Sequence, residues 1–337
     1  MTARTPFVRT APEVADALAE GRPVVALETA AVTHGLPRAP LARALPCLGD
    51  DDMPAAVRAC FEGGAPVHAA LGHAQAAAVR AEGAVPASIG MLRGQLVIGL
   101  TGAELDELAA SVDVEKLSAR DIPLVAARGK CGGTTVAGTL LACTLALPRP
   151  IDIFATGGIG GVHRGFAVRP DVSADLRAIR ETGALVVTAG AKSILDLAAT
   201  VEALDTLGVP LVGLGTRWFP RFLSEGSAPL AVNAVASDPK DAARLFDAHA
   251  AMRPHSGMLL CVPPPERHAL PAAMMERAIE AGLRACEERG VHGPEVTPVL
   301  LGAVAEATGG ASLDTNLAVL ISNARIAARV AVARCAT

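Results

Sequence analysis

The sequence predicts an α/β fold, a three-layer α/β/α sandwich around a mixed, largely buried sheet, in a single domain. Three observations carry that expectation. Short apolar runs end in glycine or polar residues, amphipathic stretches of helical period lie between them, and no Ser/Gly-rich linker divides the 337 residues.

The strand-type runs are 24–27, 95–99, 123–126, 151–154, 184–188, 209–213 and 258–262. They read as strands buried on both faces between helical layers. The stretches 104–111, 173–182, 193–207, 238–251 and 271–290 supply the helices. One region differs. From about Leu41 to His73 the chain is irregular, with Gly49-Asp-Asp-Asp-Met-Pro and Gly63-Gly-Ala-Pro around one short helical stretch. It is expected to be an insertion or lid, on the order of thirty residues.

Hydrophobic residues at 51% and charged residues at 19% exclude a disordered chain. Lys+Arg 30 against Asp+Glu 34 leaves a net charge of -4, so a nucleic-acid footprint is not expected. Seven Phe, one Trp and no Tyr argue against a base-stacking platform. No run reaches the roughly eighteen consecutive apolar residues of a membrane span, and residues 1–20 lack a signal-peptide core. Cys47, Cys60, Cys131, Cys143, Cys261, Cys286 and Cys335 are scattered without a C-x-x-C pair, which suits buried thiols in a reducing compartment. A cytoplasmic protein is expected.

The most informative stretch is Ala155-Thr-Gly-Gly-Ile-Gly-Gly-Val-His-Arg-Gly165, directly after the run 151–154. Four glycines within five residues let the main chain approach an anion and turn successive N–H groups toward it. It is therefore expected to cradle a phosphate at a strand's C-terminal end, with Thr156, His163 and Arg164 as further donors. The dinucleotide fingerprint does not fit, because its third glycine would fall at His163. Asp171-Val-Ser-Ala-Asp175 sets three oxygen-bearing side chains at alternate positions. That pattern suits a hard cation or sugar hydroxyls, or a helix cap through Ser173 or Asp171.

Lys192 follows the run 184–188 and precedes Ser193-Ile-Leu-Asp-Leu. Apolar surroundings and a helix N-terminus would disfavour its ammonium form, leaving an amine able to form a Schiff base with a sugar aldehyde. The order Gly190-Ala-Lys-Ser is not that of a P-loop. Glu28 closes the run 24–27, as either a paired structural carboxylate or a general acid or base. Lys116, in Val114-Glu-Lys-Leu-Ser-Ala-Arg-Asp121, reads on its own as a surface lysine.

Leu27-Glu-Thr with His34-Gly, Lys116-Leu-Ser-Ala-Arg-Asp, Gly133-Thr-Thr-Val-Ala, the 155–165 loop, Asp171-Val-Ser-Ala-Asp and Ala189-Gly-Ala-Lys-Ser-Ile-Leu-Asp together resemble one family. They are similar to pseudouridine-5'-phosphate glycosidases, the indigoidine-synthase-A-like group. The resemblance continues through Thr297-Pro-Val-Leu-Leu, Thr308-Gly-Gly and Ser312-Leu-Asp-Thr-Asn316, leaving out mainly 41–73. It implies an α/β/α enzyme, commonly trimeric, that breaks or forms the C–C bond between ribose 5-phosphate and uracil. It also implies a divalent metal, Mn²⁺ first and Mg²⁺ or Ca²⁺ next. By the same resemblance Lys192 matches the Schiff-base lysine and Glu28 the proton-transferring acid. Lys116, Val136, Ser173, Ala174 and Asp175 match substrate-binding positions, Asp171 the metal position, and Asn316 the asparagine that meets the base.

The departures lie around the base. Where the family generally continues His-Gly-Met-Pro with Tyr-Pro-Gln-Asn, His34-Gly-Leu-Pro is followed here by Arg38-Ala-Pro-Leu41, and Cys60, Phe61 and Leu71 come soon after. Fewer polar groups beside more apolar ones suit a larger, flatter acceptor. The expected function is C-ribosylation of an aromatic polyketide, resembling alnumycin-type C-glycosynthases. Its alternatives are a pseudouridine-5'-phosphate glycosidase releasing uracil, an aldolase-type lyase using the same lysine, and a non-catalytic sugar-phosphate-binding protein. Retention of Glu28 and Lys192 argues against the last. The partners expected are a sugar phosphate, an aromatic acceptor and further copies of this chain.

Overall fold

The computed structural model describes residues 5–41, 45–168, 170–253, 255–291 and 296–336; the side chains of Val296 and, in the C-terminal motif, Thr297, Pro298 and Leu301 lie outside the described set. The strands are β1 (Val8–Thr10), β2 (Val24–Leu27), β3 (Val85–Leu92), β4 (Gln95–Ile98), β5 (Val114–Leu117), β6 (Cys131–Thr134), β7 (Ile153–Ala155), β8 (Leu185–Thr188), β9 (Leu211–Leu214), β10 (Ala234–Ala236) and β11 (Met258–Cys261). The helices are α1 (Pro12–Ala19), α2 (Ala55–Ala59), α3 (Val67–Ala81), α4 (Gly102–Ala110), α5 (Ile122–Ala127), α6 (Val136–Leu145), α7 (Ala174–Glu181), α8 (Leu197–Thr206), α9 (Pro239–Met252), α10 (Ala272–Arg289), α11 (Val296–Ala307) and α12 (Ala311–Cys335).

The sheet runs β1-β4-β3-β2-β7-β8-β11-β9-β10, with β6 joining β5 to β3. Pairing is parallel except where β3 meets β4 and β6, so the sheet is mixed as expected. All four side chains of β2 are buried because alternate residues enter different layers. Val24 and Ala26 pack with Val14 and Leu140 on one face, Val25 and Leu27 with Leu71 and Leu317 on the other. From β2 the chain passes to β3 on one side, whereas β7 leads to β8 on the other. The crevice between the C-terminal ends of β2 and β7 is thus a topological switch point, where open α/β sheets bind ligands.

Two sequence expectations are corrected. The run 123–126 lies in α5, not in a strand. Pro123 sits in the first helical turn, where a missing N–H costs little, and a short apolar run cannot separate a buried strand from a buried helix. The helix expected over 193–207 starts only at Leu197, capped by Asp196, whose Oδ1 accepts from Ala199 N at 3.0 Å. Lys192 consequently stands on a turn between β8 and α8 and not at a helix start.

The segment from 41 to 73 is fastened down over its described part. Leu45, Cys47, Met53, Val57 and Leu71 are buried in the cluster that holds Leu317, Ala324 and Ala328 of α12. Cys47 N donates to Asp314 Oδ1 at 2.9 Å, and the His268 ring spans Asp314 Oδ2 (2.9 Å) and Asp50 Oδ2 (2.7 Å). Cys60 and Phe61 pack against the same cluster. Of the apolar residues expected to form an acceptor surface, Leu71 is buried in this packing and Cys60 and Phe61 are half-buried against it. Helix α12, long and apolar enough to cross a membrane, has 61% of its apolar window buried inside the protein. All seven cysteines are unpaired, as expected.

Candidate active site

Leu27 of β2 pairs with Ala155 of β7, so the next residues, Glu28 and Thr156, emerge side by side at the switch point. Thr156 Oγ1 donates to Glu28 Oε1. Burial pushes the Glu28 carboxyl above its usual range. The Lys192 ammonium and the Thr156 bond pull the other way, Asp175 adds to the rise, and Lys116 opposes it. Lys116 rides on β5, where burial of its ammonium and then repulsion from Lys192 hold its pKa below the ordinary value. Two carboxylates and two amines thereby share one field, and Lys116, exposed on β5, lies close enough to feel Lys192, Glu28 and Asp175.

Local geometry delivers these groups. Ala31–Gly35 forms a single π-helical turn after Glu28, a form frequent at functional sites. Thr33 Oγ1 lies 2.7 Å from His34 Nδ1, and His34 Nε2 lies 3.0 Å from Val114 O, which requires the proton on Nε2. Partial burial lowers the His34 pKa, consistent with a neutral ring tying this turn to β5. Arg38 donates to Ser111 O (3.2 Å), Ala109 O (3.4 Å) and Thr33 O (3.4 Å), so it closes the C-terminus of α4.

The glycine loop is tied down in part. Several of its amides are committed within the protein: Thr156 N to Val187 O and Ile159 N to Gly190 O at 3.0 Å, and Gly160 N to Asp175 Oδ2 at 2.8 Å. Val162 N donates to Thr200 Oγ1 and His163 N to Asp171 O, each at 3.0 Å. Among the described residues the Gly157, Gly158 and Gly161 amides have no acceptor, so those three, and not the whole run, are the donors left for an anion. Close packing requires the glycines as well. A Cβ on Gly158 would lie 2.6 Å from the Phe222 ring, one on Gly157 3.0 Å from Leu320, and one on Gly160 would overlap Ser173 Oγ. Phe222 is held against the loop with φ +64, a conformation rare and strained for a bulky residue.

Asp175, buried in α7, accepts from Gly160 N and from Ala137 N (3.0 Å). It locks the loop to the N-terminus of α6. Ser173 caps α7, its Oγ accepting from Asp175 N at 3.2 Å. The Val136 and Ala174 amides, at the starts of α6 and α7, find no acceptor among the described residues. Two adjoining helix N-termini thus add free donors to those of the loop. Asn316 is half-buried on α12. Asn323, seven residues on and so on the same face, was not anticipated: its Nδ2 donates to Thr156 O at 2.7 Å and reaches Gly157 O at 3.4 Å. A lone amide in an apolar helix carries no sequence signal for such a contact.

For a metal, the donors are sparse. The Asp171 side chain is 49% exposed and lies 3.9 Å from His163 Nδ1. Among the described residues no group of three or more His, Cys, Asp or Glu could hold a metal ion. The set fits a hydrated hard cation anchored through one carboxylate, not a closed protein cage. Arg164, expected at the phosphate, pairs with Glu276 of α10 instead.

Residues 62–333 match the family described as indigoidine synthase A like protein. The chain is 48% identical over 331 residues to a pseudouridine-5'-phosphate glycosidase of Chloroflexus aurantiacus, covering 97% of this chain and 98% of the relative. It is 44% identical over 323 residues to one of Herpetosiphon aurantiacus, covering 96% of each. Among solved structures it is similar to the prealnumycin C-glycosynthase AlnA in complex with ribulose 5-phosphate, with TM-score 0.83, 35% identity and coverage of 99% and 98%. An indigoidine synthase A-like protein of Thermotoga maritima gives TM-score 0.78 and 31% identity, with coverage of 98% of each chain.

Proposed function

The chain belongs to the indigoidine synthase A-like family, an enzyme of the glycosidase or carbon–carbon lyase type, and from that premise we propose that it cleaves pseudouridine 5'-phosphate to uracil and ribose 5-phosphate. The observation that carries this reading is the half-buried Glu28 carboxyl at the switch point, hydrogen-bonded to Thr156 and within the field of Lys192. The AlnA likeness also supports a sugar phosphate as ligand.

A C–C glycosidic bond offers no heteroatom leaving group, so protonation alone is a poor route. In the proposed sequence Glu28 gives a proton to the ring oxygen as the ribose opens, and Lys192 Nζ bonds to C1'. The carboxylate of Glu28 takes the proton that the newly bonded Lys192 nitrogen loses, and passes it to the uracil carbon. The amine lone pair then expels the base, leaving an iminium, and water releases ribose 5-phosphate and free Lys192. Because desolvation outweighs the Lys192 charge and the Thr156 bond, the half-buried Glu28 keeps a proton more readily than an exposed carboxylate would. The Val136 and Ala174 amides and the Ser173 hydroxyl are assigned to the phosphate, Lys116 and His163 to the sugar, and Asn316 to uracil. Asp171 would hold a hydrated cation, Mn²⁺ in this reading, which supplies positive charge against the phosphate when bound. A homotrimer belongs to the same reading, with sedimentation as its check.

C-ribosylation of an aromatic polyketide, the first expectation from sequence, is the weaker reading. Arg38 closes a helix and Leu71 is fully buried, so neither builds an apolar acceptor site. The AlnA likeness alone favours it. The deciding assay is uracil release from pseudouridine 5'-phosphate. Efficient release supports the proposal. Negligible release alongside C-ribosylation of a hydroxynaphthoquinone would reverse the order.

A further inference from the structure

Arg164, near the end of the glycine loop, directs its guanidinium toward the turn that carries Lys192. Its Nη1 and Nη2 donate to Glu276 Oε1 and Oε2 at 2.5 and 3.0 Å. Nε donates to Leu195 O at 3.2 Å, and Nη2 also reaches Ser193 O at 3.4 Å. Residues 193–196 belong to no helix or strand, so these carbonyls need partners from elsewhere.

Other ties fix the turn from the opposite side. Lys192 N donates to Ile159 O (3.1 Å), Asp196 N to Val162 O (3.0 Å), and Ser193 Oγ to Arg221 O (2.6 Å). Among the described residues, Arg164 supplies the side-chain donors to the Ser193 and Leu195 carbonyls. A planar fork that meets a carboxylate with two N–H groups while a third holds the turn is geometry that lysine cannot copy. Glu276 orients the fork from α10, a helix that contributes no group to the catalytic field. Its carboxyl is held below the usual range, chiefly by the Arg164 bond.

We infer that Arg164, clamped by Glu276, is a positioning residue that aims Lys192 at the sugar carbon. The inference rests on the reading of Lys192 as the imine lysine. A small misplacement of a reacting amine costs up to ~100-fold in rate without touching the binding of the rest of the substrate. Arg164→Lys and Glu276→Gln in the full chain should therefore lower kcat, and the rate at which borohydride traps ribose 5-phosphate on the protein, by about 10- to 100-fold.

Ribitol 5-phosphate has no carbonyl, and its calorimetric Kd should stay within about twofold if Arg164 acts on the lysine and not on the phosphate. Adding methylguanidinium to Arg164→Gly should recover part of the trapping rate. The double variant Arg164→Lys/Glu276→Gln should be no slower than the slower single one, since both act through one contact. Undiminished trapping in both single variants, or a parallel loss of ribitol 5-phosphate affinity, overturns the inference while leaving Lys192 as the imine lysine. A wild-type protein that turns over substrate but never traps sugar overturns the Lys192 reading and this inference with it.

Discussion

Asn323→Asp is the most informative change in the supporting structure, because it keeps the shape of the side chain and removes its donors. Asn323 is 1% exposed, and its Nδ2 holds Thr156 O at 2.7 Å with a longer reach to Gly157 O at 3.4 Å. Aspartate would set an acceptor against those carbonyls. Losing one well-made buried bond and leaving the carbonyl unpaired costs about 1–3 kcal/mol, and a carboxylate facing carbonyls adds to that. The melting temperature should fall by several degrees. Because Thr156 joins Asn323 at its carbonyl to Glu28 at its hydroxyl, kcat should also fall, by about tenfold or more. Asn323→Ala should cost a similar amount through a cavity, with activity lost by the same route. Differential scanning calorimetry and steady-state uracil release read both effects. An aspartate variant with wild-type melting and turnover would refute the idea that α12 fixes the catalytic loop.

For Glu28, burial favours the neutral carboxyl in the folded state, so between the unfolded and folded pKa values the folded chain binds more protons. Stability is highest below the unfolded value and declines as pH rises through the folded one. Glu28→Gln should thus gain in melting temperature over wild type as pH rises from about 4.5, while kcat falls about 100-fold or more; a pH-independent difference would contradict the account. Gly160→Ala would set a Cβ 2.8 Å from Asp175 Oδ2 and in overlap with Ser173 Oγ, a strain of about 1–3 kcal/mol, and should weaken ribose 5-phosphate binding in a titration. Chelation should lower turnover and Mn²⁺ restore it, and Asp171→Ala should abolish that restoration. Full activity in a verified metal-free preparation would leave Asp171 as a loop residue beside His163.

The central strands were legible because burial on both faces writes continuous apolar runs, as in Val24–Leu27 and Met258–Cys261. Helix α12 was not, since Leu317, Ala318, Val319, Leu320 and Ile321 are all buried and leave no single apolar stripe. The site was legible where a functional group ends a strand, as with Glu28 and Thr156. Lys116 gave no signal in its own neighbourhood; its place near Glu28 depends on β5 pairing with β6, which reaches Glu28 only through the sheet. The glycines were seen, yet their packing role was not. The residues that demand them, Ser173, Thr200, Phe222 and Leu320, are distant in the chain, and local sequence cannot show which of the loop's amides already have partners.

The central claim is that Lys192 bonds to the sugar while the C–C bond is cleaved. It is tested most directly by adding borohydride during turnover of pseudouridine 5'-phosphate and mapping the modified peptide by mass spectrometry, with Lys192→Arg alongside. The account predicts a reduced sugar-phosphate adduct on Lys192 together with released uracil. It predicts neither in the arginine variant, whose guanidinium stays charged and non-nucleophilic. Uracil released at the wild-type rate by Lys192→Arg, or an adduct mapped to Lys116 or any other residue, would contradict it.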